Sequence, residues 1–297
     1  MNWLDTFREY IRDTAKFWFG EGLGRYAFSY EAERQAIRRK KQQLKDRGAQ
    51  IVKTIVDGEI YGQQLYDDER KVTYGLHTQH LIKQANTFYI EELIETRMAL
   101  FRNKAFVSDE PAKISREPLE WKENEETTRH GRKLKFHYER LQAVRYADRW
   151  WNGHNPQYKA FDVDCTNYVS QCLHAGGAPM RGFSNPSEGW WYSGKSWSYS
   201  WAVAHSLRWY LPASTVGLRA KEMASADQLI PGDVICYDFE GDGRWDHTTI
   251  VTGQDAKGMP LVNAHTSNCR KRYWAYEDSL AWTENIQYKF FRIVDTD

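Results

Sequence analysis

The sequence predicts an α+β protein with two domains, in which helices pack on antiparallel strands. Apolar residues recur at helical spacing near the N-terminus, and segments rich in β-branched and aromatic residues with partial alternation follow after Gly48. A second helix-then-strand pattern begins near residue 135. At 297 residues, the chain has room for two domains that each bury a core.

The N-terminal domain is predicted to span residues 1–107. In its first helix, apolar side chains recur every three or four residues between Trp3 and Thr14, and a second helix follows. The strands after it are separated by predicted turns at Asp57–Gly58 and Asp67–Asp68. The last of the strand-like segments also fits a helix. The domain has no recognisable catalytic set, and a localisation or a dimerisation module would both suit its sequence.

The charge balance gives no global electrostatic field. The 41 Lys and Arg residues nearly equal the 40 Asp and Glu residues, so neither nucleic acid nor an acidic membrane surface is predicted as a partner. The basic run Arg38–Arg47 is interpreted as the solvated face of a helix. No apolar run reaches the roughly 18 residues that a membrane span needs, and the N-terminus lacks the organisation of a signal peptide. A cytoplasmic location is the default prediction, and association with the cell wall or spore by another route stays open.

A polar segment with two prolines, residues 108–134, is predicted to link the two domains. The second domain, residues 135–297, begins with a predicted helix whose apolar stripe includes Leu141 and Ala147. Its candidate functional residues lie in the helix and the strands that follow.

The second predicted helix of this domain begins at Cys165, directly after the favourable N-cap residue Asp164. The unpaired N–H groups and the positive end of a helix stabilise an oxyanion and also a thiolate, which is the nucleophilic form of cysteine. Cys165 is therefore predicted to be exposed and acidic, whereas Cys172 lies in the apolar stripe and is predicted to be buried. Because free cysteines are usually packed inside proteins, the hypothesis requires a base.

A histidine and two polar residues follow at suitable positions. Strand-like segments joined by short turns run from Val234 to Ala264, and His247 stands at the start of the middle one. Asn263 and His265 are two residues apart, so they would share one face of the next strand, and either could hydrogen-bond His247. A thiol at a helix start, an imidazole and a polar residue that orients it form the set that a thiol acyl-transfer enzyme uses.

Aromatic residues concentrate just before and within another predicted helix. The segment Trp201–Leu211 has helical spacing and is predicted to be core. Trp190, Trp191 and Trp197 lie in a Ser/Gly-rich stretch without a clean period. They fit equally well a core and the wall of a groove that binds an extended peptide.

No cofactor and no metal centre is predicted. The four cysteines follow neither a metal-ligand nor a disulfide pattern. The loop 238–246 has acidic residues at a spacing similar to that of a calcium-binding loop, but its twelfth position is Thr249 instead of Glu. A glycine-rich hairpin is the favoured interpretation of this loop, and calcium binding stays open.

Three blocks of the C-terminal half carry a resemblance to a known family. They are "DCTNYVSQCLHAGG", "GDVICYDFEGDGRWDHTTIVTG" and "LVNAHTSN", in that order. This half, from about Phe136 to the C-terminus, resembles the putative amidase domain of bacterial proteins, in the NlpC-like and CHAP-like division of the papain-fold cysteine peptidases. The resemblance implies a papain-like fold, with a helix-borne cysteine packed on an antiparallel sheet. It implies Cys165 as nucleophile, His247 as base and His265 as the third residue, with Asn263 as the alternate.

The activity implied by this resemblance is hydrolysis of an amide bond through a thioester acyl-enzyme, with peptides of the cell-wall type as substrates. Asp164 and Asn167, which match the family pattern around the cysteine, are predicted to contact the substrate. A non-catalytic peptide-binding or wall-binding module is the alternative, as is a thiol acyltransferase of the same fold. The sequence leaves open the natural substrate and the oligomeric state.

Overall fold

The computed structural model describes residues 2–18, 31–112 and 136–295. The chain divides into two compact units, of which one comprises Met1–Ile114 and Ala275–Leu280 and the other Ser115–Trp274 and Ala281–Asp297. Each unit has a few helices and antiparallel strands, which confirms the predicted α+β class. No helix in the described ranges is both long and apolar enough to cross a bilayer.

The first unit begins with two helices, α1 (Trp3–Phe17) and α2 (Glu31–Asp46). A capping box starts α1, because the Asn2 side chain accepts from the Asp5 N–H while the Asp5 carboxylate accepts from the Asn2 N–H. The apolar stripe predicted for this helix is buried at Phe7, Tyr10, Ile11 and Thr14.

Four strands follow in the first unit: β1 (Ala49–Tyr66), β2 (Glu69–Gln84), β3 (Thr87–Arg102) and β4 (Ala105–Pro111). Each strand pairs with the next in antiparallel register. The predicted turn at Asp67–Asp68 joins β1 to β2. The segment that also fitted a helix is strand β3.

Two predictions for this unit are wrong. Asp57–Gly58 is not a turn but the middle of β1, where it pairs with His77 and Leu76 of β2. Glycine suits this position because a Cβ at position 58 would lie 3.2 Å from the Ile11 side chain of α1, which is closer than an ordinary contact. The start of the predicted linker, up to Pro111, belongs to β4. The rest of that linker, residues 113–134, lies outside the described residues.

The helices of the second unit are α3 (Arg140–Trp150), α4 (Cys165–Ala175), α5 (Tyr199–Ala202) and α6 (Ala204–Ala213). Helix α3 buries Ala143 and Ala147, one turn apart, so Leu141 points away from this face and is 58% exposed. The prediction that Leu141 faces the core is therefore wrong.

The strands of the second unit are a short hairpin and an antiparallel sheet. The hairpin comprises β5 (Tyr192–Ser193) and β6 (Ser196–Trp197). The sheet has the order β11-β10-β9-β8-β12-β7, formed by β7 (Ala220–Met223), β8 (Val234–Asp238), β9 (His247–Gln254), β10 (Pro260–Ala264), β11 (Asn268–Tyr273) and β12 (Gln287–Ile293).

Helix α4 is the central helix of this unit. Every residue from Cys165 to Leu173 is buried, and Val169 and Cys172 belong to the same core as Ile250 of β9. At its end, a Cβ on Gly176 would lie 2.4 Å from the Tyr138 ring, so only glycine allows this close approach. The burial of α4 fixes the position of its first residue against the sheet.

Candidate active site

Cys165 is the first residue of α4 and Asp164 is its N-cap, as predicted. The thiol lies 3.7 Å from the Thr166 hydroxyl, which is 3.0 Å from the Thr248 hydroxyl of β9. The backbone N–H and the hydroxyl of Thr248 lie close enough to the Cys165 sulfur to act on its pKa, which they lower. The start of α4 and the start of β9 therefore meet at the thiol.

Burial outweighs these hydrogen bonds in the electrostatics of the thiol. Cys165 is only 2% exposed, and its desolvation raises the pKa above the ordinary value although hydrogen bonds from Thr248 and Thr166 act to lower it. The prediction of an exposed, acidic cysteine is therefore wrong in this structure. Cys172 is fully buried, as predicted, and burial raises its pKa further.

Asp164 forms a buried ion pair beside Cys165. Its Oδ2 lies 2.7 Å from His265 Nδ1, and His265 Nε2 lies 2.7 Å from the carbonyl oxygen of Trp150. A carboxylate and a carbonyl oxygen can only accept, so both ring nitrogens donate and the His265 ring is the imidazolium form. The ring also stacks on Tyr168, with 3.9 Å between centroids.

A second histidine reaches the same carboxylate. His154 Nδ1 lies 3.5 Å from Asp164 Oδ2, and about half of the His154 side chain is exposed. Burial by itself would raise the Asp164 pKa, but the hydrogen bonds from His154 and His265 outweigh it and lower the pKa to about 2. The hydrogen bond to Asp164 in turn raises the His154 pKa.

The predicted third residues are both engaged elsewhere. His265 uses both ring nitrogens on Asp164 and Trp150, so it has no nitrogen left to orient His247. The Asn263 side chain accepts from the Thr252 hydroxyl and donates to an Asp148 carboxylate oxygen at 3.2 Å. The interpretation of His265 as the partner of His247 is therefore wrong in this structure, and Asn263 as the alternate stays a prediction.

His247 is the first residue of β9 and is 8% exposed. Its ring packs against the rings of Tyr237 and Phe239, with centroids 5.6 Å and 6.0 Å away. The next residue, Thr248, points to α4, and successive side chains of a strand point to opposite faces. The structure thus brings the backbone beside His247 to the thiol, while the imidazole lies against the aromatic rings of β8 and the loop after it.

Asp164 and Asn167, which were predicted to contact substrate, are 2% and 0% exposed. Asn167 donates to the Asp164 carboxylate at 2.8 Å and to the Lys159 carbonyl oxygen at 3.0 Å, and it accepts from Trp201 Nε1 at 2.8 Å. All polar atoms of its side chain therefore serve to fix the start of α4. In this structure Asp164 and Asn167 are buried beneath the site and stabilise the start of α4.

The predicted aromatic groove is mostly core. Trp190 and Trp191 are 0% and 2% exposed, so neither lines a groove. Their indole N–H groups have hydrogen-bond partners inside the unit, which allows this burial. Trp197 alone of the three is partly exposed. It contacts the Phe161 ring at 4.8 Å, and Lys159 Nζ lies 4.9 Å from its ring.

Two groups in the described ranges have potential metal-ligand atoms within 4.8 Å of one another. One is His154, Asp164 and His265, in which the hydrogen bonds already satisfy the His265 ring. The other is Asp238, Glu240 and Asp246 in the predicted hairpin between β8 and β9. Backbone N–H groups of the loop fill both Asp238 oxygens, and burial raises the Asp246 pKa to about 6 with help from Glu240. Calcium binding here stays a prediction.

Sequence reasoning missed Thr248, His154 and the Trp150 carbonyl. A threonine after the candidate base and another after the cysteine were visible signals for a hydroxyl pair at the thiol. His154 stands in an irregular segment ten residues before Asp164, and no pattern in that segment predicts the contact.

Comparison with known proteins identifies the family. The profile of the family described as "Putative amidase domain" matches residues 137–291, which contain the Cys165 site and all but the last two residues of its sheet. The chain belongs to the putative amidase domain family.

Two proteins of Bacillus subtilis (strain 168) are similar to this family member. Uncharacterized protein YhbB is 48% identical over 273 residues, which is 88% of this chain and 86% of YhbB. Uncharacterized protein YjcM is 31% identical over 140 residues, which is 44% of this chain and 31% of YjcM. No solved structure matches the chain significantly.

We expect Cys165 to react slowly with iodoacetamide at neutral pH, yet faster than Cys172. Burial raises the pKa of both thiols, but Cys165 retains slight exposure, and polar groups of Thr166 and Thr248 act to lower its pKa. The measurement is the rate of labelling between about pH 6 and 10, followed by peptide mapping. The labelling rate of Cys165 should still be rising with pH beyond about 8.5, which is the ordinary pKa of cysteine.

The control for this labelling is the protein unfolded in urea, in which both thiols should react alike. Faster labelling of Cys172 than of Cys165 in the folded protein would contradict the expectation. A labelling rate that reaches its plateau below about pH 7 would contradict the raised pKa of Cys165.

Proposed function

We propose that the second unit is a cysteine-dependent amidase or peptidase of papain-like, NlpC-like fold, which cleaves an amide bond through a thioester acyl-enzyme. The observation that carries the proposal is the meeting of Cys165, at the positive end of α4, with Thr248, directly after His247 on β9. The amidase family supports the reaction class. A thiol, helix-end N–H groups and a neighbouring histidine are the parts that acyl transfer needs.

In the proposed reaction the Cys165 thiol gives its proton to His247, and the sulfur attacks the amide carbonyl carbon. The backbone N–H of Cys165, at the start of α4, stabilises the oxyanion. The C–N bond then breaks, and protonated His247 gives its proton to the leaving amine. His247 next takes a proton from water, which attacks the thioester and releases the carboxylic acid and the thiol.

His247 is assigned as the base because His265 cannot serve as one. The His265 ring donates from both nitrogens and has no lone pair to accept a proton. His247 is the first residue of β9, and the residue after it, Thr248, contacts the Cys165 site. Catalytic hydrogen bonds often form only when substrate is bound.

A peptide with an apolar side chain and a carboxylate is the proposed substrate class, as in peptides of the cell-wall type. Trp197 and Phe161 offer aromatic rings, and exposed Lys159 offers a positive charge beside them. The Phe161 N–H donates to Asp164 at 3.1 Å, so this cluster is tied to the residue before Cys165. It is therefore a suitable surface to hold a substrate near the thiol.

A non-catalytic peptide-binding module is the second candidate function. It is favoured by the burial of Cys165 and by the raised pKa of its thiol, since both oppose nucleophilic attack. A module of this kind would bind peptides through the same Trp197 cluster without forming a covalent intermediate.

Intact-protein mass spectrometry of acid-quenched mixtures with muropeptides and other peptides distinguishes the candidates. A cysteine amidase is expected to gain the mass of the acyl fragment on Cys165, with release of one amine product per enzyme. A transferase would pass that fragment to an added amine in preference to water. Saturable peptide binding without any adduct or product would overturn the catalytic proposal and favour the binding module.

A further inference from the structure

The first unit contains a cavity of about 70 Å³ between α1, α2, strands β2 and β3, and the segment Ala275–Leu280 of the same unit. A single water molecule needs about 10–15 Å³ when cavity volume is measured in this way, so the cavity has room for several waters or a small ligand group. Its apolar walls include the Trp18 indole, Leu76 and Leu280.

The ionisable residues that line this cavity are mostly acidic. The described residues of the lining supply four carboxyl groups and a single ammonium group to the cavity, while the Glu92 carboxylate bonds His77 and Gln79 on the other face of the strands. His80 adds no charge because burial lowers its pKa to about 3. The charged residues of the lining are Glu33, Glu91, Glu92, Glu95, Asp278 and Lys40.

The existing cations leave two of these carboxylates incompletely paired. Lys40 Nζ bonds one oxygen of Glu91 and lies 3.3 Å from Asp278, while Arg97 bonds one oxygen of Glu33 at 2.5 Å. The other oxygens of Glu33 and Glu91 are buried and have no hydrogen-bond partner among the described residues. Burial raises the Glu33 pKa, since it is a carboxyl group whose charge is not fully compensated.

Buried carboxylate oxygens without partners are costly, and a bound cation would satisfy them. The Glu33 and Glu91 side chains are only 6% and 5% exposed, so bulk water cannot take the place of a bound cation at these oxygens. Both line the cavity, so they mark the position where the charged end of a ligand would lie.

The arrangement fits an organic cation better than a metal ion. A metal needs ligand atoms that converge, and in the described ranges the two groups that converge within 4.8 Å are both in the second unit. Carboxylates spread around a cavity can instead hydrogen-bond the several N–H donors of an ammonium group. The indole of Trp18 and the leucine side chains suit an aliphatic chain, and an aromatic face also attracts a cation.

We propose that this cavity binds the ammonium group of an aliphatic amine, with Glu33 and Glu91 as the residues that receive it. This gives the first unit a ligand-binding role that does not depend on the chemistry at Cys165.

The test is calorimetric titration of the full-length protein with 1,4-diaminobutane and n-butylamine, alongside 1-butanol, MgCl₂ and CaCl₂. Both amines are expected to bind saturably and to raise Tm, whereas the alcohol of the same size should not. Glu33→Gln and Glu91→Gln should each weaken amine binding about tenfold or more, since each removes a charged hydrogen bond. Glu59→Gln, on an exposed part of β1 in the same unit, is the matched control and should bind like the parent.

The ligand-free Tm of each variant shows that it is folded, and glutamine preserves the shape of the side chain. Absence of saturable amine binding, equal binding of 1-butanol, undiminished binding by both glutamine variants, or binding of the divalent ions in place of the amines would overturn the proposal.

Discussion

Replacing Cys165 with alanine is expected to abolish the acyl-enzyme and to lower single-turnover cleavage of peptides by at least about 10⁴-fold. The sulfur is the atom that attacks the carbonyl in the proposed reaction, and no other group at the start of α4 can form the thioester. The variant should keep its fold, because alanine is smaller than cysteine and Thr166 and Thr248 retain their mutual hydrogen bond. The measurement is quenched-flow cleavage with chromatographic analysis of products.

Cys172→Ala is the matched control, since it removes a buried thiol from the same helix, seven residues on. It should lower the free energy of unfolding by about 1 kcal/mol and leave the cleavage rate near that of the parent. Undiminished cleavage by Cys165→Ala would disprove the cysteine mechanism.

The base is tested together with the nucleophile. His247→Ala should also abolish cleavage, and the double variant Cys165→Ala/His247→Ala should be no slower, because residues that act as one unit are not additive. If His247→Ala retained the parent rate while Cys165→Ala did not, the half-exposed His154 beside Asp164 would replace His247 as the base.

The bounds of α4 were predictable from local sequence, because an apolar stripe fills the helix and two glycines follow it. Asp164 stands at the predicted N-cap position, but its side chain makes no capping hydrogen bond and accepts instead from Asn167 and His265. The burial of Cys165 was not predictable in this way. It depends on Thr248, which is 83 residues further along the chain and reaches the thiol only after the sheet has formed.

The error about His265 also has a local cause. The sequence suggested that Asn263 and His265 share a strand face, but β10 ends at Ala264 and His265 lies in the turn that follows. Thr266 in that turn has a positive φ of 82°, and its hydroxyl accepts from the Asp164 N–H at 3.1 Å. The turn therefore carries His265 to Asp164.

In the first unit, amphipathic spacing predicted the helices but not the positions of buried charges. The basic run of α2 was interpreted as a solvated face, yet Lys40 is 1% exposed. Its partners Glu91 and Asp278 come from distant parts of the sequence, so the interpretation could not include them. A long charged side chain is buried only when such partners compensate its charge.

Replacing His265 with alanine is expected to lower the free energy of unfolding at pH 7 by about 3 kcal/mol, because it leaves the buried Asp164 carboxylate with only the half-exposed His154 as a counter-charge. Both side chains of this pair are 3% exposed, so solvent screens the interaction little. The change also removes the 2.7 Å hydrogen bond to Trp150 and the stacking on Tyr168. Urea unfolding of the whole chain measures the loss, and His174→Ala is the control.

His174 suits that purpose because its ring is bonded to a backbone carbonyl, that of Ala178 at 3.1 Å, and pairs with no carboxylate of the described residues. Its loss should cost about 1 kcal/mol. A double-mutant cycle with Asp164→Asn and His265→Gln then isolates the coupling between the two charges. A coupling energy near zero would mean that packing, and not the ion pair, accounts for the effect.

The pH dependence gives an independent check on the same pair. The folded Asp164 pKa, about 2, lies below the ordinary value of about 3.9, so this carboxylate contributes stability that is present above about pH 4 and is lost as pH falls toward 2. Without His265 the folded pKa should rise, because burial then opposes the charge with less compensation. The free energy of unfolding of His265→Ala should accordingly fall less steeply than that of the parent between pH 4 and 2. An equal slope in the two proteins would show that His265 does not hold the Asp164 carboxylate in its charged form beside Cys165.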